Sequence, residues 1–298
     1  MTSSVFARSS RRVAPLFFIG PALLVTAILA IAPAIQLVRA STRAWKLGQP
    51  LDEAKDVGLQ NFERLLTGSV PIGHSLKLTV IYTLAALVVE LLLGLGIALL
   101  LDRALSGARS FAMTVLLVPM ILMPAMVGMI WKLYFSYEGL VNWVLSLVRI
   151  PPLNWYSTDF ALPAVIIVDI WQWTPFFILI FLAGLQAMPR EPIEAAEVDG
   201  AGGWDILRSI QLPLLLPLIL ITATLRVMEL FRNFDVVFVM FGGGPGNATE
   251  TLPIAVYRTT IEQQRPGVGA AFSLILIAVM LLIAWLFIAL LQRYREEQ

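Results

Sequence analysis

Long apolar stretches alternate with short polar segments along the chain. Six of the stretches reach the roughly 20 residues that a helix needs to cross a bilayer core about 30 Å thick. They are Val13–Val38, Leu76–Leu101, Phe111–Leu133, Ala161–Gln186, Leu212–Arg232 and Val268–Leu291. Because these runs are continuous and do not alternate residue by residue, they predict helices and not the strands of a membrane barrel. The pattern predicts an all-α polytopic membrane protein with six transmembrane helices.

Two of these windows contain features that change the simple picture. Pro119 and Pro124 lie inside the third window and favour a kink there. The second half of the fifth window contains Arg226, Glu229 and Arg232, and a further apolar run, Val236–Phe241, follows it. We therefore expect the fifth helix to continue beyond its window, with a polar break inside it.

The first window follows a basic segment, as the apolar core of a signal peptide does. Its apolar stretch is, however, much longer than the about 7–15 residues of such a core. The small-residue candidate for cleavage, Ala30-Ile31-Ala32, is also followed directly by Pro33. We therefore interpret the first window as an uncleaved transmembrane helix.

Basic residues predict the orientation of the six helices. With a cytoplasmic N-terminus, segments 1–12, 102–110, 187–211 and 292–298 are inside and contain nine arginines. The outside segments are about twice as long in total, yet they contain eight lysines and arginines, Arg39 and Arg43 among them. The positive-inside rule therefore predicts that both termini are cytoplasmic.

Composition supports a membrane protein and excludes several other classes. Hydrophobic residues make up 58% of the 298 residues and charged residues 14%, against roughly 45–50% and about 25% in soluble domains. A net charge of +1 gives no electrostatic case for nucleic acid. With no cysteine and one histidine, His74, disulfides, thiolate nucleophiles and His/Cys metal sites are excluded. We expect a single transmembrane domain, 1–298, with no catalytic residue, bound metal or cofactor of its own.

The cytoplasmic segment 187–211 has the signals of a short helix. Pro192 suits a first helical turn, and acidic residues crowd the positive end of the helix dipole. Gly200 supplies the stop. Ile193, Ala196 and Gly200 would share one face, which either packs on the same bundle or docks into a groove of a partner.

Three motifs together resemble one known family. Glu194-Ala195-Ala196, then Gly200-Ala201, Ile210 and Leu212-Pro213, match the EAA loop of permease subunits of binding-protein-dependent ABC importers. Gly58–Phe62 and the glycine-rich segment Gly242–Leu252 are similar to motifs of the carbohydrate-uptake branch, especially its maltose-type and glycerol-phosphate-type first permease. The glycine-rich segment is not a phosphate-binding loop, because Asn247-Ala248 stands where Lys-Ser or Lys-Thr is needed.

The resemblance implies a type I importer permease in a bacterial inner membrane. It implies that Glu194, Ala195, Ala196 and Gly200 couple the chain to a separate ATPase. The implied partners are a second permease, two ATPase subunits that hold ATP and magnesium, and an extracytoplasmic solute-binding protein. The substrate would be a sugar, sugar alcohol or related polyol.

Polar groups inside the apolar windows are the candidates for the substrate pathway, because such groups are costly in lipid and often functional. The candidates are Asp169, Trp171, Trp173, Glu229, Asn233 and Asp235. Carboxylates and amides bind sugar hydroxyls, and flat aromatic rings cover the C–H faces of a sugar. Structural roles stay open: interface anchoring for the tryptophans, interhelical bonding for Asp169, and an i,i+3 pair between Arg226 and Glu229. Glu90 is a weaker candidate.

Three alternative functions remain. Arg226 and Arg232 would suit an anion such as glycerol phosphate, although Glu229 and Asp235 nearly balance their charge and favour a neutral polyol. An ion-coupled carrier would predict duplicated halves or a carboxylate cluster, and the sequence shows neither. A membrane enzyme would need a convergent acid–base or metal site, and no carboxylates cluster along the sequence.

Overall fold

The computed structural model describes residues 4–67 and 72–296, and side chains within 19–67, 72–290 and 292. The described residues are helical apart from loops and one isolated bridge between Arg43 and Asp56. The helices are α1 (Ser4–Ser41), α2 (Gln60–Leu66), α3 (Ile72–Asp102), α4 (Ser106–Ile121), α5 (Pro124–Tyr134), α6 (Leu140–Leu147), α7 (Ala161–Gln186), α8 (Glu191–Val198), α9 (Gly203–Ile206), α10 (Leu212–Arg232), α11 (Asp235–Phe241), α12 (Leu252–Tyr257) and α13 (Pro266–Glu296). The predicted all-α architecture is confirmed.

Apolar segments long enough to cross a membrane agree with the six predicted windows. Five described segments are each long and apolar enough to cross a membrane. They lie within α1, α3, α7, the run Gly203–Phe241, and α13. A sixth is the bent pair α4 and α5. The fifth segment also has the predicted break, because α10 ends at Arg232 and Asn233 is extended before α11 begins.

The third window is not one kinked helix but two helices that meet at 96°. Helix α4 ends after Pro119, and Pro124 occupies the first turn of α5, where the missing N–H costs nothing. The carbonyl of Leu122, freed by the break, accepts a 3.1 Å hydrogen bond from Nε2 of the buried Gln172 of α7. The backbone carbonyl that the break frees therefore has a hydrogen-bond partner on α7.

The chain forms two compact units, which are described separately. The first comprises residues 1–70 and 256–275, and it contains α1, α2 and the start of α13. Within it, Asn61 Nδ2 donates to the carbonyls of Ser41 at 2.8 Å and Arg43 at 2.9 Å. A Cβ at Gly267 would collide with the carbonyl of Arg43, so that glycine permits a close approach of two segments.

The second unit comprises residues 71–255 and 276–298. Its core is the packing of α3 against α7, and α10 lies against both. A side chain at Gly94 of α3 would collide with Phe177 of α7, and Phe177, Ile178 and Phe181 are fully buried. This close approach of two long helices fixes the polar residues that each carries at mid-length.

The loops of the second unit gather at two opposite ends of its long helices. At one end, Arg103 approaches Gly203, and Arg109 caps α3 by donating to the carbonyls of Leu101, Asp102 and Ala104 at 3.0–3.1 Å. At the other end, His74 hydrogen-bonds the carbonyl of Asn247 at 3.1 Å. Segments 102–110 and 187–211 thus share one end, as the six-helix prediction requires.

Candidate functional site

The fully buried guanidinium of Arg226 is the centre of a polar cluster between α3, α7 and α10. Its Nε and Nη2 each donate to Glu90 at 2.9 Å, in a bidentate pair. Nη2 also donates to Asp169, and Nη1 donates to Glu229 at 3.2 Å. Bidentate, charge-assisted bonds are the strongest that a guanidinium makes. Arg226 therefore binds three helices together through carboxylates at the same depth.

Asn233 and Tyr82 extend the cluster towards the break after α10. Asn233 Nδ2 donates to Asp169 at 3.0 Å and contacts the Tyr82 hydroxyl at 2.5 Å. Because Asn233 is the extended residue that separates α10 from α11, these bonds position the break relative to α3 and α7. The break is thus held by the same cluster that neutralises Arg226.

A cavity of about 200 Å³ lies beside the cluster. Its lining residues are Pro124, Trp173, Arg226, Glu229, Arg232, Asn233, Phe234, Asp235 and Val236. The Trp173 ring faces the cavity and covers Arg226, whose Cζ lies 4.7 Å from the ring centroid. The cavity therefore combines an aromatic face, an amide, two carboxylates and an arginine other than Arg226.

Four of the six predicted pathway residues line this cavity: Trp173, Glu229, Asn233 and Asp235. Asp169 is fully buried behind them and supports Arg226 and Asn233. Trp171 lies elsewhere, against Trp131 at a centroid distance of 5.4 Å. Two residues apart on a helix are about 200° apart, so Trp171 and Trp173 cannot both face one cavity. Whether these side chains contact substrate stays a prediction.

Sequence reasoning paired Arg226 with Glu229 and missed its main partners. Glu90 is 136 residues away and Asp169 is 57 residues away, so no local spacing brings either to Arg226. The available signal was depth, because Glu90 and Asp169 each lie near the middle of an apolar helix and an arginine lies inside a third. Isolated charges at equal depth in different membrane helices predict one shared cluster.

The predicted short helix in segment 187–211 is confirmed as α8, and its end has a defined geometry. The N–H of Gly200 donates to Glu197 and that of Ala201 to Ala196, at 3.1 and 2.9 Å. With Gly200 at a φ of +82°, this is the Schellman arrangement that ends a helix at a glycine. Glycine is required there because a side chain is strained at positive φ.

The face of α8 that carries Ile193 and Ala196 lies towards its own unit, which is one of the two alternatives that the sequence left open. Ile193 and Ala196 are half-buried, and Ile193 lines a cavity of about 500 Å³ between α8 and its own unit. Glu194, Ala195 and Gly200 are exposed, and Val198 is 87% exposed. Ile193 thus lies towards its own unit, and the exposed Glu194 lines the same cavity, while Ala195 and Val198 are exposed outside it.

Comparison with known proteins identifies relatives over most of the chain. The family model described as "binding-protein-dependent transport system inner membrane component" matches residues 90–296. A probable ABC transporter permease of Sinorhizobium fredii is 35% identical over 90% of this chain and 86% of its own. The trehalose/maltose transport system permease protein MalF of Thermococcus litoralis is 35% identical over 78% of each chain.

Two further proteins extend the comparison. The sn-glycerol-3-phosphate transport system permease protein UgpA of Agrobacterium fabrum is 32% identical over 94% of each chain. A chain of a bacterial ABC transporter involved in the import of alginate superposes with a TM-score of 0.81, covering 96% of this chain and 99% of its own. At 20% identity, this last likeness concerns the fold alone.

Proposed function

Because the chain belongs to the inner membrane components of binding-protein-dependent transport systems, we propose that it forms a pathway for a sugar, sugar alcohol or related polyol. It would do so as one permease subunit of an ATP-driven importer. The observation that supports this substrate class is the cavity beside Arg226, which is lined by Trp173 together with Glu229, Asn233 and Asp235. An aromatic face beside polar acceptors suits the apolar and hydroxylated surfaces of a sugar.

The size and charge of the cavity favour a small neutral ligand. Its volume of about 200 Å³ is below the roughly 300–1,000 Å³ of sites for drug-sized ligands. A monosaccharide, a small polyol or one end of a longer sugar suits this space. Arg226 is saturated by Glu90 and Asp169, so Arg232 is the arginine left to face a ligand, together with the carboxylates of Glu229 and Asp235.

The alternative within transport is a glycerol-phosphate permease, because the 32% identical relative UgpA is named as one. An anion would meet the carboxylates of Glu229 and Asp235, and of the two arginines in the lining Arg226 is already paired with Glu90 and Asp169, which disfavours an anion. The structure does gather carboxylates, which the sequence did not reveal, but Arg226 fills the space between them that a coupling ion would need. Family membership opposes both an ion-coupled carrier and a membrane enzyme.

The partners follow from the exposed outer surface of α8. A short helix with Ala195 and Val198 exposed on its outer side, and with the exposed Glu194 at the edge of the cavity beneath it, is suited to a groove on another subunit. We assign that groove to an ATPase, which would hold the ATP and magnesium. A second permease and an extracytoplasmic solute-binding protein would complete the importer, in a bacterial inner membrane with both termini cytoplasmic.

The cavity is tested by Asp235→Ala. One hydrogen bond contributes roughly 0.5–1.5 kcal/mol net, so we expect transport at low substrate concentration to fall about twofold to tenfold. Uptake of radiolabelled sugars by the reconstituted importer measures this. The exposed loop variant Glu138→Ala is the control and should transport normally. An Asp235→Ala importer with unchanged KM and rate for every transported sugar would remove this cavity from the pathway.

The orientation is tested by single cysteines in a chain that has none. Glu138 and Ala108 are exposed residues near opposite ends of the second unit. In intact cells, Glu138→Cys should react with a membrane-impermeant maleimide, and Ala108→Cys should react only after lysis. The opposite pattern would invert the proposed topology.

A further inference from the structure

The first unit contains a cavity of about 380 Å³ that is lined by four basic side chains. They are Arg43, Lys46, Arg64 and Arg265, and no carboxylate is among the described residues that line the cavity. Arg43 donates to the carbonyls of Leu51 and Asp52 at 2.8 and 3.1 Å, which fixes its position without neutralising its charge. The nearby Asp52 carboxylate is paired with Arg39. The described residues that line the cavity therefore include four basic side chains and no carboxylate.

A second cavity in the same unit is apolar and has a volume of about 490 Å³. Its walls are the last turns of α1 and the first turns of α13, both of which belong to membrane-spanning segments. The wall residues are Pro33, Gln36, Leu37, Ala40, Trp45, Leu51, Thr260, Pro266, Gly269, Ala270 and Ser273. Carbon atoms make up most of this wall, as in a groove for a hydrocarbon chain.

The two cavities meet at Trp45, which lines both. Arg43 and Lys46 follow the end of the α1 span and Arg265 precedes the start of the α13 span, whereas Arg64 belongs to α2. The apolar wall continues from there along the spans themselves. Tryptophan is enriched at the membrane interface, and the Trp45 Nε1 donates to the carbonyl of Gln49 at 2.8 Å. The charged cavity thus lies at headgroup level and the apolar cavity at acyl-chain level.

We propose that these joined cavities bind one anionic phospholipid, with its phosphate among the four basic side chains and an acyl chain in the apolar groove. Charge complementarity favours a lipid with a net negative charge, because a zwitterionic lipid would bring the cation of its own headgroup towards the four basic side chains. The apolar groove selects the lipid over free phosphate. The site also explains why Arg43 and its basic neighbours lie on the side of the membrane where the positive-inside rule expects few.

The proposal is tested by native mass spectrometry of the chain purified with its associated subunits and titrated with phosphatidylglycerol or phosphatidylcholine of identical acyl chains. The headgroup variant combines Lys46→Gln, Arg64→Gln and Arg265→Gln, and its control is Lys55→Gln, an exposed residue of the same segment that lines neither cavity. The groove variant is Ser273→Leu, which fills the apolar cavity. Its control is Ala278→Leu, which adds the same bulk on an exposed position further along α13.

The wild-type protein should bind phosphatidylglycerol at least tenfold more tightly than phosphatidylcholine. The headgroup variant should lose this preference. Each removed cation should lower the affinity for phosphatidylglycerol about fivefold, which corresponds to about 1 kcal/mol. The groove variant should bind both lipids weakly, and the two controls should match the wild type. All variants should keep the wild-type thermal midpoint, which separates lost binding from lost folding.

Two results would overturn the proposal. Equal binding of the two lipids by the wild type would show that the basic cavity does not select a headgroup, and that a protein segment covers it. Selective binding that Ser273→Leu leaves intact, and that millimolar inorganic phosphate abolishes, would identify a site for a water-soluble anion and not for a lipid.

Discussion

Replacement of Gly200 by valine or proline should abolish uptake and the coupling of ATP hydrolysis to substrate, while the protein still inserts into the membrane. Gly200 has a φ of +82°, which costs an L-residue roughly 1–2 kcal/mol and is worse for a β-branched side chain. Proline is excluded more strongly, because its ring fixes φ near −65° and removes the N–H that Gly200 donates to Glu197. Either change redirects the chain between α8 and α9.

Substrate-stimulated ATPase activity of the reconstituted importer, measured beside uptake, checks this prediction. Gly202→Ala is the matched control, since Gly202 has a negative φ and its Cβ would make an ordinary 3.4 Å contact with Asp205. Gly200→Asn should keep partial activity because asparagine tolerates the left-handed conformation. Fully coupled ATPase activity in Gly200→Pro would mean that the end of α8 does not transmit the ATPase cycle.

Replacement of Arg226 by methionine should prevent stable folding, although it removes a charge from the membrane. Glu90 and Asp169 are fully buried and would face each other without a cation. Removal of one partner of a buried ion pair costs roughly 3–5 kcal/mol, and Arg226 is the partner of two buried carboxylates. Arg232→Met, on a cavity residue outside the cluster, should leave folding unchanged and alter transport alone.

The amount of monodisperse protein and its thermal midpoint in detergent check this second prediction. Restoration of the midpoint by Glu90→Gln and Asp169→Asn in the Arg226→Met background would attribute the loss to uncompensated charge and not to lost volume. A stable Arg226→Met protein without these changes would contradict the role of Arg226 as the tie between α3, α7 and α10.

Features encoded locally could be predicted from the sequence, and those formed between distant helices could not. Apolar runs predicted the spans, and proline, acidic residues and glycine predicted α8 and its end, because these signals act within a few residues. The pair of Arg226 with Glu90 depends on how α3, α7 and α10 meet, which no spacing encodes. Trp171 shows the same limit of local spacing, since it lies two residues from Trp173 in the chain but against Trp131 and outside the cavity that Trp173 lines.

The shape of the third span escaped prediction for a related reason. Pro119 and Pro124 indicated a distortion, but two prolines define neither the angle nor the partner of the freed carbonyl. Both depend on Gln172, which belongs to a helix that comes later in the chain.

The inward packing of Ile193 also depends on tertiary contacts, because an isolated helix exposes every face equally.

The bend between α4 and α5 has a consequence for biosynthesis. Helix α4 has 16 residues and α5 has 11, so their lengths are about 24 and 17 Å, and neither alone crosses a core of about 30 Å. The Leu122 carbonyl can accept its hydrogen bond from Gln172, and α5 can pack against α11, only after another 50 to 120 residues of chain have been made. Before those partners exist, the pair could span the bilayer only as one extended apolar segment. The bent form would then follow the arrival of the later helices, α7 and α11.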